Sequence, residues 1–331
     1  MTSQDEQPAP RQVLVAGCGA VGSVFACLLA EAGHFVDVLA RGSQLQAIGS
    51  RGLVVSGIWG DHASLPRLAT DDARKLATSY DAVLLTTKSS ASEAVLADLA
   101  GHIDHAQVAI ALQNGLGNVE RLASSFVAEL TLAGRVIFGA RITEPGCVEV
   151  TVEAEPVLLG KPEGGVCPAA DEWAQIFASA GISCLANEDI REALWAKVFY
   201  NAALNPMGAL LACSYGELAA DPQLRLAMAE IVGEAFAVAI AEGVQLRWPN
   251  AEAYLTHFHE RLVPLTARHR SSMLQDLELG RTTEIDAICG EICRRAERAG
   301  LAAPANRVLL ALVEARTRDA NRAPSAPKLK T

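Results

Sequence analysis

Three polar residues recur at every fourth position of an otherwise apolar segment in the second half of the chain. Lys197, Asn201 and Asn205 are spaced i, i+4 and i+8, so on a helix they share one face. An ammonium and two amides are costly to bury unless their face meets a polar cavity. The alternative, a solvated helix face, predicts more charge nearby, yet Lys197 is the only charged residue between Glu192 and Glu217. We therefore interpret this face as part of a site, where an ammonium can donate a proton and stabilise negative charge on oxygen.

A glycine-rich turn near the N-terminus predicts an anion-binding site. The apolar residues 13–16 lead into Gly17-x-Gly19-x-x-Gly22, a helical apolar pattern follows, and residues 35–40 are predicted as a second strand. In such a unit the first glycine allows the tight turn, the second lets a pyrophosphate approach the backbone, and the third lets helix and strand pack closely. The N–H groups and dipole of the new helix favour an anion. We expect dinucleotide binding here, and the candidate cofactor-binding residues of the turn are Gly17, Cys18, Gly19, Ala20, Val21 and Gly22.

The end of the second predicted strand indicates which dinucleotide binds. An NAD site usually places an acidic residue there, to accept hydrogen bonds from the ribose 2′-hydroxyl. This chain has Arg41 at the strand tip, and its only nearby acid, Asp37, lies mid-strand. A guanidinium can bind a 2′-phosphate through paired charge-assisted hydrogen bonds. The alternative is that Arg41 is only a solvated loop cation, but we expect NADPH/NADP⁺ as the cofactor.

Further apolar runs predict buried strands and place two polar residues at their ends. Residues 82–86 and 108–112 are short and continuously apolar, as expected of parallel strands covered on both faces. Lys88 follows the first run and Asn114 the second, and ligands of such sheets bind at the carboxyl ends of the strands. Residues 136–140 predict another strand, in a region of antiparallel pairing.

The order of predicted elements indicates two domains. Strands alternate with helices in the first half, and the second half is helical almost to its end. We predict an α/β N-terminal Rossmann-type dinucleotide-binding domain over residues 11–186 and an all-α C-terminal domain over residues 187–320. Residues 1–10 and 321–331 are polar and contain proline, and we expect disorder there.

Composition and charge exclude several classes of protein. The 331 residues are 50% hydrophobic and 20% charged, which indicates a globular protein with substantial cores. A formal net charge of −10 argues against general nucleic-acid binding. The N-terminal residues lack the features of a signal peptide, and no apolar stretch is long enough to span a bilayer. We expect a cytoplasmic protein with no nucleic-acid partner and no membrane partner.

The eight cysteines are scattered and form no CxxC pair. Cys289 and Cys293 are four residues apart in a helical pattern, without a nearby histidine. We interpret the cysteines as reduced structural thiols and predict no metal site.

A third group of polar residues lies near the C-terminal end. Ser272 lies in the segment SSMLQD. Glu284 lies 12 positions later, in the segment RTTEID. On a continuous helix that spacing puts both side chains on similar sides. Acid-rich helices are usually solvated, so this segment is a weak signal by itself.

Taken together, four motifs resemble those of ketopantoate reductases (2-dehydropantoate 2-reductases). They are GCGAVG, Gln113-Asn114-Gly115, the Lys-x3-Asn-x3-Asn-Pro helix, and SSMLQD followed by R-x-TEID. The resemblance extends from about residue 11 to about residue 315. The last two motifs are specific to that family and its close relatives.

The resemblance implies a role for each matching residue. It makes Lys197 the general acid and gives Glu284 the task of orienting the substrate and supporting catalysis. It makes Arg41 the residue that recognises the NADPH phosphate, with Lys88 and Asn114 beside the cofactor. The substrate-binding residues that it implies are Asn114, Asn201, Asn205 and Ser272.

The implied reaction is NADPH-dependent reduction of ketopantoate to pantoate by hydride transfer to the C2 carbonyl, in pantothenate biosynthesis. The partner is then a small-molecule 2-keto acid, and a homodimer stays an open alternative. Departures from the family pattern, such as Tyr215-Gly216 before Glu-Leu, leave a related 2-keto acid as an alternative substrate. A dinucleotide-sensing protein without turnover is the alternative from another class. Lys197, Asn201 and Glu284 favour the enzyme, because a sensor needs no general acid.

Overall fold

The computed structural model describes residues 9–126 and 128–322 of the chain. Within these residues the chain forms two compact units. The second unit contains residues 114–116 and the described residues from 194 onward, and the first unit contains the other described residues. The short segment 114–116 is therefore far in sequence from the rest of its unit.

The first unit is built on two β-sheets. The strands of its described residues are β1 (Gln12–Ala16), β2 (Phe35–Leu39), β3 (Leu53–Gly57), β4 (His62–Ser64), β5 (Leu68–Thr70), β6 (Ser79–Leu85), β7 (His105–Ala111), β8 (Leu130–Arg135), β9 (Phe138–Glu144), β10 (Cys147–Glu153), β11 (Val157–Gly160) and β12 (Cys184–Ala186). In the main sheet β5, β2, β1, β6, β7 and β8 run parallel in that order, and β11 joins β8 antiparallel with β12 beyond it. The smaller sheet has the order β4, β3, β10, β9.

Helices connect the parallel strands and cover the main sheet. They are α1 (Ala20–Glu31), α2 (Gly42–Arg51), α3 (Ser92–Ala100), α4 (Asn118–Ser125) and α5 (Pro168–Ser179). This alternation of parallel strands and helices is the Rossmann-like α/β fold that the sequence predicts.

The central strand β1 shows why its sequence is continuously apolar. Val13 and Val15 belong to the apolar cluster that contains the buried face of α1. Leu14 and Ala16 point to the opposite face and belong to the cluster that contains the buried face of α3. All four side chains are fully buried, and burying one side chain of the size of valine or leucine stabilises the fold by roughly 1.5–3 kcal/mol. A strand covered on both faces therefore shows no polar alternation.

Within its described residues the second unit consists of helices and connecting loops, without a strand. The long helix α6 (Ile190–Leu211) begins in the first unit and continues into the second. The other helices of the second unit are α7 (Tyr215–Ala220), α8 (Pro222–Ala241), α9 (Ala251–His257), α10 (Val263–Leu265), α11 (Ser272–Glu278), α12 (Glu291–Arg298) and α13 (Pro304–Arg322). Two π-helical turns, Phe258–Leu262 and Asp286–Gly290, interrupt the α-helical pattern.

Aromatic packing around α6 forms the core of the second unit. The Phe199 ring stacks on Phe236 with centroids 5.5 Å apart and meets Tyr254 edge-on at 5.2 Å. Trp195 lies one turn earlier on α6 and is 2% exposed. The apolar side of α6 is thus anchored, which fixes the direction of its polar face. No helix in the described part of the chain is long and apolar enough to cross a membrane.

Three sequence predictions about chain segments differ from the structure or fall outside it. Ser272 and Glu284 do not share a continuous helix, because α11 ends at Glu278. The strand predicted at residues 136–140 is observed as β9, from Phe138 to Glu144, and it follows β8, which the sequence pattern did not reveal. The expected disordered ends, 1–10 and 321–331, lie outside the described residues except for residues 9, 10, 321 and 322. Residues 321 and 322 continue α13.

Candidate active site

The turn after β1 has the geometry that a dinucleotide requires. Gly17 has a φ of +104°, and a Cβ on Gly22 would lie 2.0 Å from the Gly17 carbonyl oxygen, so neither position tolerates a side chain. Gly19 caps α1, and a Cβ there would meet no described atom within 4 Å. Open space before a helix N-terminus with free N–H groups fits a pyrophosphate. The other residues of the turn are Cys18, which is buried, and Ala20 and Val21, which begin α1.

The side chain of Gln44 holds this turn in place. Its Nε2 donates to the Cys18 carbonyl oxygen at 3.0 Å, and its Oε1 accepts from the Gly146 N–H at 2.9 Å. No local sequence pattern reveals this role of Gln44, because its partners lie 26 and 102 residues away along the chain. Gln44 lies in the first turn of α2, so it ties the glycine-rich turn to the segment that follows β2.

The tip of β2 presents a cation. Arg41 is exposed, and its extended backbone caps the start of α2. Asp37 is 1% exposed, and its carboxylate accepts hydrogen bonds from Arg67 Nε at 2.8 Å and from the Tyr80 hydroxyl at 2.7 Å. A carboxylate held inside the sheet in this way does not reach a ribose hydroxyl. The structure therefore gives Asp37 a structural role.

Two further polar residues lie at the carboxyl ends of neighbouring parallel strands. Lys88 follows β6, is half-buried, and precedes a short 3₁₀ turn, Ser89–Ala91. Gln113 follows β7, is buried, and donates from Nε2 to the Ser92 Oγ at 2.7 Å. This edge of a parallel sheet is where ligands bind. Lys88 thus has the location that the sequence analysis expects.

In the second unit, α6 carries the predicted polar face. Asn201 is 8% exposed and Asn205 is 7% exposed, although both are amides among apolar neighbours. The Asn201 side chain makes no hydrogen bond to another residue of the described ranges. Buried amides normally have hydrogen-bond partners, so one without a protein partner is suited to a ligand or water.

Lys197, Asn114 and Glu284 form one hydrogen-bonded chain. The Lys197 Nζ donates to Asn114 Oδ1 at 2.6 Å, and Asn114 Nδ2 donates to Glu284 Oε2 at 2.9 Å. An ammonium cannot accept and a carboxylate cannot donate, so this arrangement allows only one orientation of the amide. Asn114 lies 83 positions before Lys197 and 170 positions before Glu284 in the sequence, and the fold brings the three residues together within the second unit.

The segment 114–116 reaches this chain because Gly115 packs directly on the backbone after Glu284. Gly115 has a φ of +85°, and a Cβ there would lie 2.3 Å from the Ala287 carbonyl oxygen. The Leu116 N–H donates to that same oxygen at 2.8 Å. Ala287 belongs to a π-helical turn, a feature that often occurs at functional sites. The Asn-Gly pair therefore has a structural explanation. Asn114 bridges Lys197 and Glu284, and Gly115 allows the segment to lie close to the Ala287 backbone.

The two serines of the SSMLQD segment occupy different environments. Ser271 is fully buried, caps α11 by accepting from the Leu274 N–H at 3.1 Å, and donates to the Asn205 carbonyl oxygen at 3.3 Å. Ser272 is exposed and begins α11. Ser271 thus anchors the segment to α6, while Ser272, the predicted substrate ligand, is exposed.

Most of the cysteines form part of the apolar cores. All eight are free, and six of them are buried. Burial raises the pKa of Cys18 and of Cys184 to about 12, so both thiols stay protonated. In the described ranges no group of three or more histidine, cysteine, aspartate or glutamate side chains is arranged to hold a metal ion.

Comparisons with known proteins agree with this arrangement of two units. The chain matches the family model described as "Ketopantoate reductase PanE/ApbA" over residues 13–164 and the model "Ketopantoate reductase PanE/ApbA C terminal" over residues 189–317. The 2-dehydropantoate 2-reductase of Aquifex aeolicus is 32% identical over 304 residues, which cover 92% of this chain and 96% of that protein.

Solved structures show the same fold. The PanE/ApbA family ketopantoate reductase from Ralstonia eutropha JMP134 superposes with a TM-score of 0.83 at 31% identity, covering 93% of this chain and 99% of that one. A D-mandelate dehydrogenase in ternary complex with NADH and anilino(oxo)acetate gives a TM-score of 0.83 at 25% identity, with the same coverage. Given the family models, the relatives and the fold, the chain belongs to the ketopantoate reductase family of oxidoreductases.

Proposed function

We propose that this protein reduces 2-dehydropantoate to pantoate with NADPH, by hydride transfer to the C2 carbonyl, as a step of pantothenate biosynthesis. The observation that carries the proposal is the hydrogen-bonded chain of Lys197, Asn114 and Glu284. It puts a proton donor, an oriented amide and a carboxylate into one constellation. The names of the relatives supply the substrate, since the family members similar to this chain are 2-dehydropantoate 2-reductases.

Lys197 acts as the general acid in this proposal. The C2 oxygen of the substrate gains negative charge as the carbonyl is reduced, and an ammonium stabilises that charge and delivers the proton. Its hydrogen bond to Asn114 Oδ1 fixes the direction of the Nζ atom. Glu284 holds the amide from the other side, and its negative charge lowers the cost of keeping the ammonium in a half-buried position.

Asn201, Asn205 and Ser272 bind the substrate in this proposal. The two amides lie one and two turns after Lys197 on the same face of α6. Amides and a hydroxyl donate and accept hydrogen bonds without adding a charge that would compete with the ammonium. A small, polar 2-keto acid is the class of ligand that such a face suits.

NADPH, when bound, supplies the hydride. In the first unit, residues 17–22 would hold its pyrophosphate, because the open N-terminus of α1 lies at that turn. Arg41 would bind the 2′-phosphate, and Lys88 would lie beside the cofactor at the ligand-binding edge of the sheet. Asn114 would bind the cofactor as well as the substrate.

Arg41 is expected to determine the preference for NADPH. Arg41→Ala should weaken NADPH binding about tenfold to a hundredfold and leave NADH binding unchanged, because one charge-assisted contact contributes ~1.5–3 kcal/mol. The Kd of each cofactor, measured by fluorescence titration, tests this. Arg74→Ala is the matched control, since Arg74 is also exposed in the first unit but pairs with Asp72. Equal use of both cofactors by the unmodified protein would contradict the assignment.

The substrate is tested by a panel of 2-keto acids. The decrease in NADPH absorbance should be fastest, by kcat/KM, with 2-dehydropantoate. The second candidate is a related 2-keto acid, and the similarity to D-mandelate dehydrogenase favours including aromatic acids in the panel. If one of those acids gives a higher kcat/KM than 2-dehydropantoate, that acid replaces ketopantoate as the proposed substrate. Tight NADPH binding without turnover of any acid would favour the dinucleotide-sensing alternative.

Glu284 should act on both binding and turnover. Glu284→Ala removes the carboxylate that fixes Asn114 and that can orient a substrate hydroxyl, so we expect KM to rise and kcat to fall, each about tenfold. Steady-state kinetics measure both values. Glu278→Ala is the control, because Glu278 is an exposed carboxylate of the second unit that pairs with Arg270. Unchanged kinetics in Glu284→Ala would remove the carboxylate from the site.

A further inference from the structure

Tyr215 is a buried tyrosine whose hydroxyl is directed at one of the proposed substrate ligands. It is 3% exposed, and its hydroxyl donates to Asn205 Oδ1 at 2.5 Å. In the sequence, Tyr215 stands out only as a departure from the family pattern. The structure connects it to the polar face of α6.

The position of the tyrosine ring is fixed by its surroundings. The Tyr215 N–H donates to the His269 carbonyl oxygen at 3.1 Å, and the two rings pack with centroids 5.1 Å apart. Tyr200 meets the ring edge-on at 5.8 Å. A side chain held on several sides can in turn hold the group that it contacts.

This contact determines which end of the Asn205 amide faces the site. An asparagine side chain has an accepting oxygen and a donating nitrogen, and the tyrosine hydroxyl takes the oxygen. No hydrogen bond from Asn205 Nδ2 to a residue in 9–126 or 128–322 accompanies it. Burial raises the pKa of Tyr215 well above its ordinary value, so the hydroxyl stays protonated and remains a donor.

We propose that Tyr215 is a positioning residue that acts through Asn205, presenting the Nδ2 hydrogens to an oxygen of the substrate. The subsite at Asn205 then selects an acceptor, such as a carboxylate or carbonyl oxygen, and disfavours an ammonium or amide donor. This inference rests on the proposed function of the site.

Tyr215→Phe tests the inference, because it removes one oxygen atom and keeps the ring. The amide loses its partner and its fixed orientation, so KM for the keto acid should rise about five- to twentyfold with kcat changed less than about twofold. The Kd for NADPH should stay the same. Tyr200→Phe is the matched control: it also loses a tyrosine hydroxyl, which is part-buried and bonds Thr266 at 2.6 Å, and it should leave KM unchanged.

A double-mutant cycle separates this role from a merely structural one. Asn205→Ala should raise KM, and adding Tyr215→Phe to it should raise KM by less than about twofold more, because the two residues act as one unit. If Tyr215→Phe raises KM in the Asn205→Ala background by the same factor as in the wild-type background, the inference is overturned. An unchanged KM in Tyr215→Phe alone overturns it as well.

The same comparison can be made without turnover. The Kd of the keto acid, measured by calorimetry in the presence of NADP⁺, should rise in Tyr215→Phe by the same factor as KM. An inactive wild-type protein that still binds the acid in this way would refute the proposed reaction and leave the role of Tyr215 measurable. An unchanged Kd in Tyr215→Phe would overturn the inference whether or not the protein turns over.

Discussion

Lys197→Ala should lower kcat at least about a hundredfold and change the Kd for NADPH by less than about twofold. General acid catalysis contributes typically ~10²–10⁴-fold, and the ammonium acts on charge that appears mainly in the transition state. The described hydrogen bond of Lys197 joins it to Asn114 in the second unit, whereas the glycine turn belongs to the first unit. Steady-state and single-turnover kinetics measure the chemical step, and fluorescence titration measures NADPH binding.

Lys75→Ala is the control for this experiment. Lys75 is an exposed lysine of the first unit, in the 3₁₀ turn Ala73–Lys75, and its loss should leave kcat unchanged. A small primary amine added to Lys197→Ala should restore part of the rate, because it replaces the missing proton donor. Near-normal turnover of Lys197→Ala with an accepted keto acid would remove Lys197 from the mechanism.

Gly115→Ala should lower kcat about tenfold to a hundredfold, although a methyl group carries no chemistry. Its Cβ would lie 2.3 Å from the Ala287 carbonyl oxygen, in a backbone conformation that side chains rarely adopt. The segment must move, and Asn114 then loses its position between Lys197 and Glu284. The measurement is kcat together with the melting temperature, which separates a displaced loop from a destabilised fold.

Gly233→Ala is the matched control for the glycine experiment. Gly233 lies inside α8 of the second unit, and a Cβ there meets no described atom within 4 Å. In a helix interior this change should stabilise by about 0.5–1 kcal/mol and leave kcat unchanged. Asn114→Ala, which removes the bridge without backbone strain, should reduce kcat in the same direction as Gly115→Ala. If Gly115→Ala and Asn114→Ala both keep the wild-type kcat, the Asn114 bridge is not needed for turnover.

Much of the fold could be predicted from local signals in the sequence. The glycine spacing and the apolar run before it predict β1, the turn and α1, because both follow from residue types within about 20 positions. The spacing of Lys197, Asn201 and Asn205 predicts the polar face of α6, since the helical period is local as well. The α/β and all-helical halves are confirmed by the family models and by the solved structures.

Other features depend on contacts that no local pattern contains. Strand β8 has Arg135 at a buried position, where a pair with Glu155 compensates the charge, so its sequence does not resemble a buried strand. The contacts of Gln44 with Cys18 and Gly146, and of Tyr215 with Asn205, form only in the folded protein. The sequence marks Asn114 and Glu284 separately, and only the fold shows that one amide joins Glu284 to Lys197.

The membership of residues 114–116 in the second unit affects how the enzyme is made on the ribosome and how it can evolve. Asn114 leaves the ribosome 83 residues before Lys197 and 170 residues before Glu284, so the nascent chain carries the amide long before either partner exists. At ~5–20 residues per second of synthesis, the delay is roughly 4–17 seconds for Lys197 and roughly 9–34 seconds for Glu284. A gene fusion that exchanged the helical unit at a single crossover near residue 193 would combine Asn114 from one parent with Lys197 and Glu284 from the other. Recombination within the family should therefore preserve function only when the short segment and the helical unit are inherited together.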